Sequence, residues 1–312
     1  MEPILNIVLP VFAIVGAGYL CGVRGLLGED SSVALNRFVY WVALPAMLFR
    51  AMATVDLAQV YNPGFFLGFL GAVVLIGVIT TVVACLLFRR NLAEAAIHAM
   101  NGVYGNSGYM GIPLALTAFG DAAALPAIVA TVINTALVVG VAIFLIEFGT
   151  KGGGNPFRVL GNVLSAMARN PMLVAPVLGL CWAATGVSLP VPVDSFTNIL
   201  GVAAGPCALF AIGLFMVGKP RSEGRVEVGV MTLTKLVGQP LVTALMVLVI
   251  LPVDPLWAKV AILMAALPTG AGSFVLAQAY GVYVLRTSSM ILTSTVLSVA
   301  TISVYFIFFP PG

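Results

Sequence analysis

The sequence predicts an all-α integral membrane protein: ten transmembrane helices in two inverted five-helix repeats, with helices 4 and 9 broken and crossed. Three observations predict it. The 312-residue chain is 61% hydrophobic and only 8% charged, against about 25% in soluble domains, so its solvent is lipid. Its apolar residues gather in ten stretches near the length of about 20 residues that a bilayer demands. Glycine, proline and polar residues interrupt two of those stretches at matching places.

The stretches cover residues 3–23, 33–53, 64–88, 94–120, 124–148, 167–186, 194–217, 227–251, 256–281 and 287–309. The first begins "MEPILNIVLP", without the basic n-region of a signal peptide, so it reads as a retained span. The second carries Arg50 near its outer end, placed to anchor at the interface or to steer anions. The fifth carries Asn134, which either bonds the broken fourth helix or joins neighbouring helices. "NPFRVLGNVLSAMAR", before the sixth, reads as an amphipathic helix on the inner surface. The division is therefore 1–148 for the first repeat, 149–166 for a short cytoplasmic linker and 167–312 for the second repeat. Cys21, Cys85, Cys181 and Cys207 lie in apolar spans without CxxC spacing and read as small packing residues.

Charge sets the orientation. With the N-terminus outside, the inner ends hold Arg24, Arg37, Arg89, Arg90, Lys151, Arg158, Arg169, Lys219, Arg221, Arg225 and Arg286, and the outer side only Arg50 and Lys259. Basic residues concentrate on cytoplasmic loops, so both termini face out and the chain is a multi-pass protein of the cell membrane. No basic run is dense enough, or interleaved with aromatics, to suggest nucleic acid as a partner.

Five spans per half invert the second half relative to the first. "ALPAMLF" (43–49) echoes "AGPCALF" (204–210) in the second span of each half, and "LALTAFG" (114–120) echoes "VLAQAYG" (275–281) in the fourth. Aligning Gly120 with Gly281 sets "GNSGYMGIP" (105–113) and "LPTGAGS" (267–273) at the same depth. Glycine weakens a helix by about 1 kcal/mol and proline by about 3. Unpaired backbone in hydrocarbon is tolerated only where protein or water satisfies it, so two matching breaks imply a protein-lined cavity at the midplane. The second half of each broken helix presents free N–H groups and roughly half a positive charge at its start, and two such ends make an anion site without a buried lysine. The candidate binding residues are Asn106, Ser107, Gly108, Tyr109, Gly111, Pro113 and Asn134 in the first half, and Pro268, Thr269, Gly270, Gly272 and Ser273 in the second. Asn106, Ser107, Thr269 and Ser273 are expected to add side-chain hydrogen bonds. Helix packing alone accounts for the glycines, but not for the prolines, the polar cluster and the symmetric placement.

Four further residues stand as coupling or support candidates. Lys235 in span 8 is either functional or snorkels to the inner surface. Gln239 lines the cavity or bonds a neighbouring helix. Gln278 offers an oxygen. His98, the only histidine, sits near the inner end of span 4, as a proton relay or an interfacial residue.

"NSGYMGIPL" (106–114) resembles the fourth-helix crossover of the auxin efflux carrier family, and "AALPTGAGSFVLAQAYGV" (265–282) resembles its ninth helix. "RNP" (169–171) with "GLCW" (179–182), "ALFAIGLFM" (208–216) and "FLIEF" (144–148) match the sixth, seventh and fifth helices in order. The resemblance implies a scaffold of helices 1, 2, 6 and 7 that dimerises, and a transport part of helices 3–5 and 8–10 that moves elevator-fashion. It implies small organic anions as cargo: indole-acetate in plants, dicarboxylates such as malonate in some bacterial relatives. The chain departs from plant members in its short link between helices 5 and 6, which removes loop phosphorylation control, and in Ser273 where they tend to have proline. The compact chain looks like a bacterial member.

Other classes fit less well. "GNSG" (105–108) matches the GxSG of intramembrane serine proteases, but that chemistry needs a histidine within reach of the serine, and His98 lies nine residues earlier on the same helix. No His/Cys/carboxylate cluster suggests a metal centre or other cofactor. Nothing resembles a channel's selectivity filter. A sodium-coupled symporter of the bile-acid type shares the architecture, but sodium would need several oxygens and no acidic residue lies mid-membrane.

Overall fold

A computed structural model describes residues 7–150, 156–218 and 224–311 of the chain. Among these the backbone is almost wholly helical, and the β-type contact is one isolated antiparallel bridge between Gly105 and Thr269. The helices are α1 (Leu9–Val23), α2 (Glu29–Phe38), α3 (Leu44–Ala53), α4 (Leu57–Val60), α5 (Pro63–Leu86), α6 (Leu92–Val103), α7 (Ile112–Phe119), α8 (Ala124–Ile133) and α9 (Val139–Thr150). After them come α10 (Pro156–Ala168), α11 (Pro171–Ala183), α12 (Val191–Met216), α13 (Arg225–Leu233), α14 (Gln239–Leu245), α15 (Pro255–Ala266), α16 (Gly272–Tyr280) and α17 (Val284–Phe308). Wider π-type turns at Val39–Ala43, Asn134–Val138 and Thr234–Gly238 join α2 to α3, α8 to α9 and α13 to α14 without breaking the rod.

Helix starts are set by polar caps. The side chains of Asn62, Asn91, Asn170 and Asp254 accept from backbone N–H groups of the first turn of α5, α6, α11 and α15, which satisfies donors that a helix start leaves open. Proline follows at the first or second position of α5, α11 and α15, where its missing N–H is harmless.

Six helical stretches are long and apolar enough to cross a bilayer: Asp30–Ala53, Pro63–Leu86, Asp121–Gly149, Val191–Met216, Arg225–Ile250 and Val284–Phe308. A seventh exists if Leu160–Ala168 and Pro171–Ala183, bent by 64° at their joint, form one broken span. Leu9–Val23 and Pro255–Ala266 are apolar but shorter. The expected beginning of the first span, at residue 3, lies outside the described residues, as do the basic residues Lys151, Lys219 and Arg221. In the expected fourth and ninth spans the helix is divided, which shortens each piece.

Two sets of helices pack within themselves. In one, α1 lies along α12 and α11 lies along α3. Small residues permit it: a Cβ on Gly18 would run into the Phe210 carbonyl, and one on Gly213 into the Val15 carbonyl. At the α11–α3 contact a Cβ on Gly179 would stand 2.5 Å from the Phe49 carbonyl oxygen. These are backbone approaches of the small-residue kind that membrane helices use. Gly213→Val is expected to destabilise by about 1–3 kcal/mol through overpacking, read as a lower unfolding midpoint in detergent; an unchanged midpoint would deny the α1–α12 contact. In the other set α5 packs on α6, α6 on α9, α15 on α8 and α14, and α17 on α13 and α16.

Arg50 has a partner the sequence reading did not name: its guanidinium pairs with Asp194 on α12 at 2.7 and 3.3 Å, tying α3 to α12. Half-exposed, that pair contributes at most about 1 kcal/mol. Cys181 is exposed rather than packed. His98 is fully buried within the protein. The amphipathic segment does form a helix, α10, with Phe157, Leu160 and Leu164 exposed and Val163 buried.

Candidate functional site

The division of the fourth span begins at Tyr104. Its ψ of 97° and the Asn106 ψ of 55° leave the helical region, so α6 ends at Val103. The ninth span divides at Leu267, whose ψ of 150° is the extended conformation that a following proline, here Pro268, imposes. The two unwound stretches meet. Asn106 N–H donates to the Pro268 carbonyl at 2.8 Å, and Gly270 N–H donates to the Tyr104 carbonyl at 2.9 Å, on either side of the Gly105–Thr269 bridge. Each break thus satisfies backbone groups of the other, as hydrocarbon surroundings require.

Pro113 is not what breaks the fourth span. It is the second residue of α7, after a π-type turn at Ser107–Gly111 in which Ile112 N–H reaches back to the Ser107 carbonyl. The wider turn absorbs the donor that proline lacks. The unwinding lies upstream, at Tyr104–Asn106.

Glycine is needed where backbones touch. A Cβ on Gly270 would stand 2.7 Å from the Tyr104 ring and 3.0 Å from the Gly105 carbonyl oxygen; one on Gly272 would stand 3.0 Å from the Tyr104 ring. A Cβ on Gly105 would lie 3.1 Å from the Met264 carbonyl oxygen. Gly111 packs against Leu267 and Met264, and Gly108 against Met172 of α11 and Leu44 of α3. Pro113 packs against Gly205 of α12. The crossing therefore sits between the two sets of helices.

Side chains brace it. Thr269 donates its hydroxyl to the Asn101 carbonyl at 2.8 Å and its N–H to Ser294 Oγ at 3.1 Å, while Asn101 Nδ2 donates to Thr287 Oγ1 at 3.0 Å. Ser273 donates its hydroxyl to the Gly270 carbonyl at 2.7 Å. A hydroxyl has one proton to give, and here Thr269 gives its proton to the Asn101 carbonyl of α6 and Ser273 to the Gly270 carbonyl of the turn. Lys235 Nζ donates to the Ala265 carbonyl at 2.7 Å, and Gln239 Nε2 to the Val103 carbonyl at 3.0 Å. Those carbonyls belong to the last turns of α15 and α6.

What remains open is informative. The amides of Gly108 and Tyr109, at the start of one second half, and of Ala271 and Gly272, at the start of the other, donate to no protein group among the described residues. The Asn106 side chain, 7% exposed, makes no hydrogen bond either. Asn134, at the head of the π-type turn after α8, is fully buried with both side-chain atoms unpartnered. Gln278 is exposed near the C-terminal end of α16. On α2 the Asn36 carbonyl accepts from Tyr109 Oη at 3.4 Å, and from the following turn and α11 the crossing is faced by two groups the sequence reading passed over, Tyr40 Oη donating to Asn170 Oδ1 at 3.1 Å. A tyrosine and an asparagine at span ends look like interface anchors in sequence, so no signal marked them.

A second polar cluster went unread. Glu227 on α13 is buried and takes Arg90 at 3.0 and 2.6 Å, Arg286 at 3.1 Å and His98 Nδ1 at 3.3 Å. Tyr283 Oη lies 3.2 Å from the same His98 nitrogen, and both guanidinium groups stack on the Tyr283 ring. The hydrogen bond to Glu227 raises the Arg90 guanidinium further above its ordinary value. The cluster joins the starts of α6, α13 and α17. His98 Nε2 has no partner, so Ser107 has no histidine base. Among the described residues no group of histidine, cysteine and carboxylates could hold a metal ion.

A family described as "Membrane transport protein" matches residues 3–306. A protein of Rhizobium meliloti (strain 1021) named "Putative malonate transporter" is 31% identical over 303 residues, 97% of this chain and 95% of the relative. An "Uncharacterized transporter" of Escherichia coli (strain K12) is 28% identical over 293 residues, 93% of this chain and 92% of the relative. Auxin efflux carrier component 4 of Arabidopsis thaliana is 28% identical over 177 residues, 51% of this chain and 28% of the relative. Family and relatives indicate a membrane transporter. The chain belongs to the membrane transport protein family that includes the auxin efflux carriers.

Proposed function

We propose that the chain is a secondary transporter that carries a small organic anion, auxin-like or a mono- or dicarboxylate such as malonate, through the cell membrane by elevator-type alternating access. One observation carries the reading: two unwound segments held together by their own backbones, with free amides at the start of both second halves. Free N–H groups and two helix-dipole ends favour negative charge, and the unpartnered side chain of Asn106 adds a donor beside them. The malonate in the Rhizobium relative's name is of that chemical class.

Ten spans in inverted repeats are part of the proposal. Gly18 and Gly179 are separated by 161 positions (179 − 18), and so are their contact partners Phe49 and Phe210 (210 − 49). The contact of Gly18 with Phe210 thus maps onto that of Gly179 with Phe49. The echoes at 43–49 and 204–210, and at 114–120 and 275–281, have the same separation. The set containing α1, α3, α11 and α12 is the proposed scaffold, which dimerises, and the other set moves. The excess of basic residues on the inner ends supports both termini lying outside. A sodium-coupled carrier is the alternative, and the described residues place no carboxylate at the crossing to ligate the ion.

A thermal-shift screen of the purified chain against organic acids, including malonate and indole-acetate, tests the reading, because a ligand that binds only the folded state raises the unfolding midpoint. Acids that raise it are then offered to proteoliposomes with and without sodium. Sodium-independent uptake is expected. A flat screen together with absent uptake would refute the carrier reading, and strict sodium dependence would favour the alternative.

A further inference from the structure

Lys235 sits in the π-type turn between α13 and α14, and none of it is exposed. It does not snorkel. Its Nζ points into the protein, donates to the Ala265 carbonyl at 2.7 Å, and lies 3.5 Å from where a Cβ on Gly105 would be. Four residues on, the fully buried Gln239 donates to the Val103 carbonyl at 3.0 Å. One face of this helix therefore caps the C-terminal ends of both first halves, α15 and α6.

Gln239 demonstrates that a neutral amide is sufficient for such a cap. Lysine at the other cap brings an amine that gains a full charge when protonated against the unwound backbone. The C-terminal end of α15 offsets part of it, since helix C-termini carry roughly half a negative charge. No carboxylate among the described residues pairs with it. Glu227, on the same rod, is eight residues away, roughly 12 Å along the axis, and is engaged with Arg90, Arg286 and His98. A buried charge without a full counter-charge is unfavourable.

Resting on the carrier reading above, the geometry points to Lys235 as the residue that sets the charge specificity of the crossing: the cargo's negative charge completes the compensation that the protein leaves unfinished, so a dianion is preferred over a monoanion of the same shape. Lys235 acts through the backbone of 104–106, as a positioning and electrostatic residue rather than a direct ligand.

The test compares malonate, a dianion, with its monoamide malonamate, a monoanion, by titration calorimetry on the purified full chain. Wild-type protein is expected to prefer malonate by about tenfold or more, the scale of one added unit charge in a low-dielectric interior. Lys235→Gln keeps an amide for the Ala265 carbonyl and removes the charge. It is expected to unfold near the wild-type temperature, to lose malonate affinity by about tenfold or more, and to bring the malonate-to-malonamate ratio close to one. Lys235→Arg is expected to restore the preference in part. A ratio that Lys235→Gln leaves unchanged overturns the inference while the carrier reading stands. Equal affinities in the wild type overturn it whether or not the variant folds. Wild-type protein that binds neither compound nor indole-acetate overturns both.

Discussion

Gly270→Val is expected to abolish uptake and to lower the unfolding temperature. The new Cβ alone would meet the Tyr104 ring at 2.7 and 2.9 Å, closer than real Cβ atoms come, and the Gly105 carbonyl oxygen at 3.0 Å, tighter than nearly all real Cβ contacts. The ring can shift by a few tenths of an ångström, but the backbone oxygen is held in place by the neighbouring bridge. Separating the strands enough for valine breaks the two hydrogen bonds at 2.8 and 2.9 Å. In lipid-like surroundings their groups have no water to turn to. Overpacking of this kind costs about 1–3 kcal/mol, and each buried group left unpaired about 1–3 kcal/mol more. Circular-dichroism melting in detergent and uptake into proteoliposomes read the two effects. Normal uptake by this variant would mean that the two segments do not touch in the working protein.

Asn106→Ala is expected to do the opposite: cargo affinity falls while stability holds. The distinction comes from the hydrogen-bond pattern. Thr269, its neighbour across the bridge, is tied to Asn101 and Ser294, so truncating it would damage the fold. The Asn106 side chain is tied to nothing, so truncating it removes no bond within the protein. A hydrogen bond to a charged group is worth about 1.5–3 kcal/mol, which corresponds to roughly a tenfold to hundredfold rise in Kd. Titration calorimetry with whichever acid raises the melting point measures it. An unchanged Kd would remove Asn106 from the binding surface. A melting point lowered by many degrees would show an intramolecular role instead.

The breaks were legible in sequence because they carry composition: glycines, prolines and polar residues stand out within apolar runs. That the two breaks face each other was foreseen from the cost of loose backbone in lipid; that they hydrogen-bond directly to each other was not. The exact place of unwinding was not. Pro113 drew attention as a helix breaker, yet a π-type turn absorbs it, and the chain unwinds at Tyr104–Asn106, where Gly105 is the only weak helix former. Hydroxyl direction was also beyond the sequence. Thr269 and Ser273 resemble free donors, but in the fold the Thr269 proton lies on the Asn101 carbonyl of α6 and the Ser273 proton on the Gly270 carbonyl of the turn. Glu227 was hidden for a third reason. At the start of an apolar helix it reads as a solvated end group, and only folding brings Arg90, from another loop 137 residues away, onto its carboxylate.

Hydrogen–deuterium exchange of the backbone amides, with and without a bound organic acid, tests the central claim most directly. If main-chain donors at the two breaks hold the anion, peptides spanning 104–111 and 267–273 slow their exchange together when the acid is added, while α1 and α12 do not change. An acid that raises the melting point, yet leaves both peptides exchanging at their unliganded rate, would show that the cargo binds elsewhere.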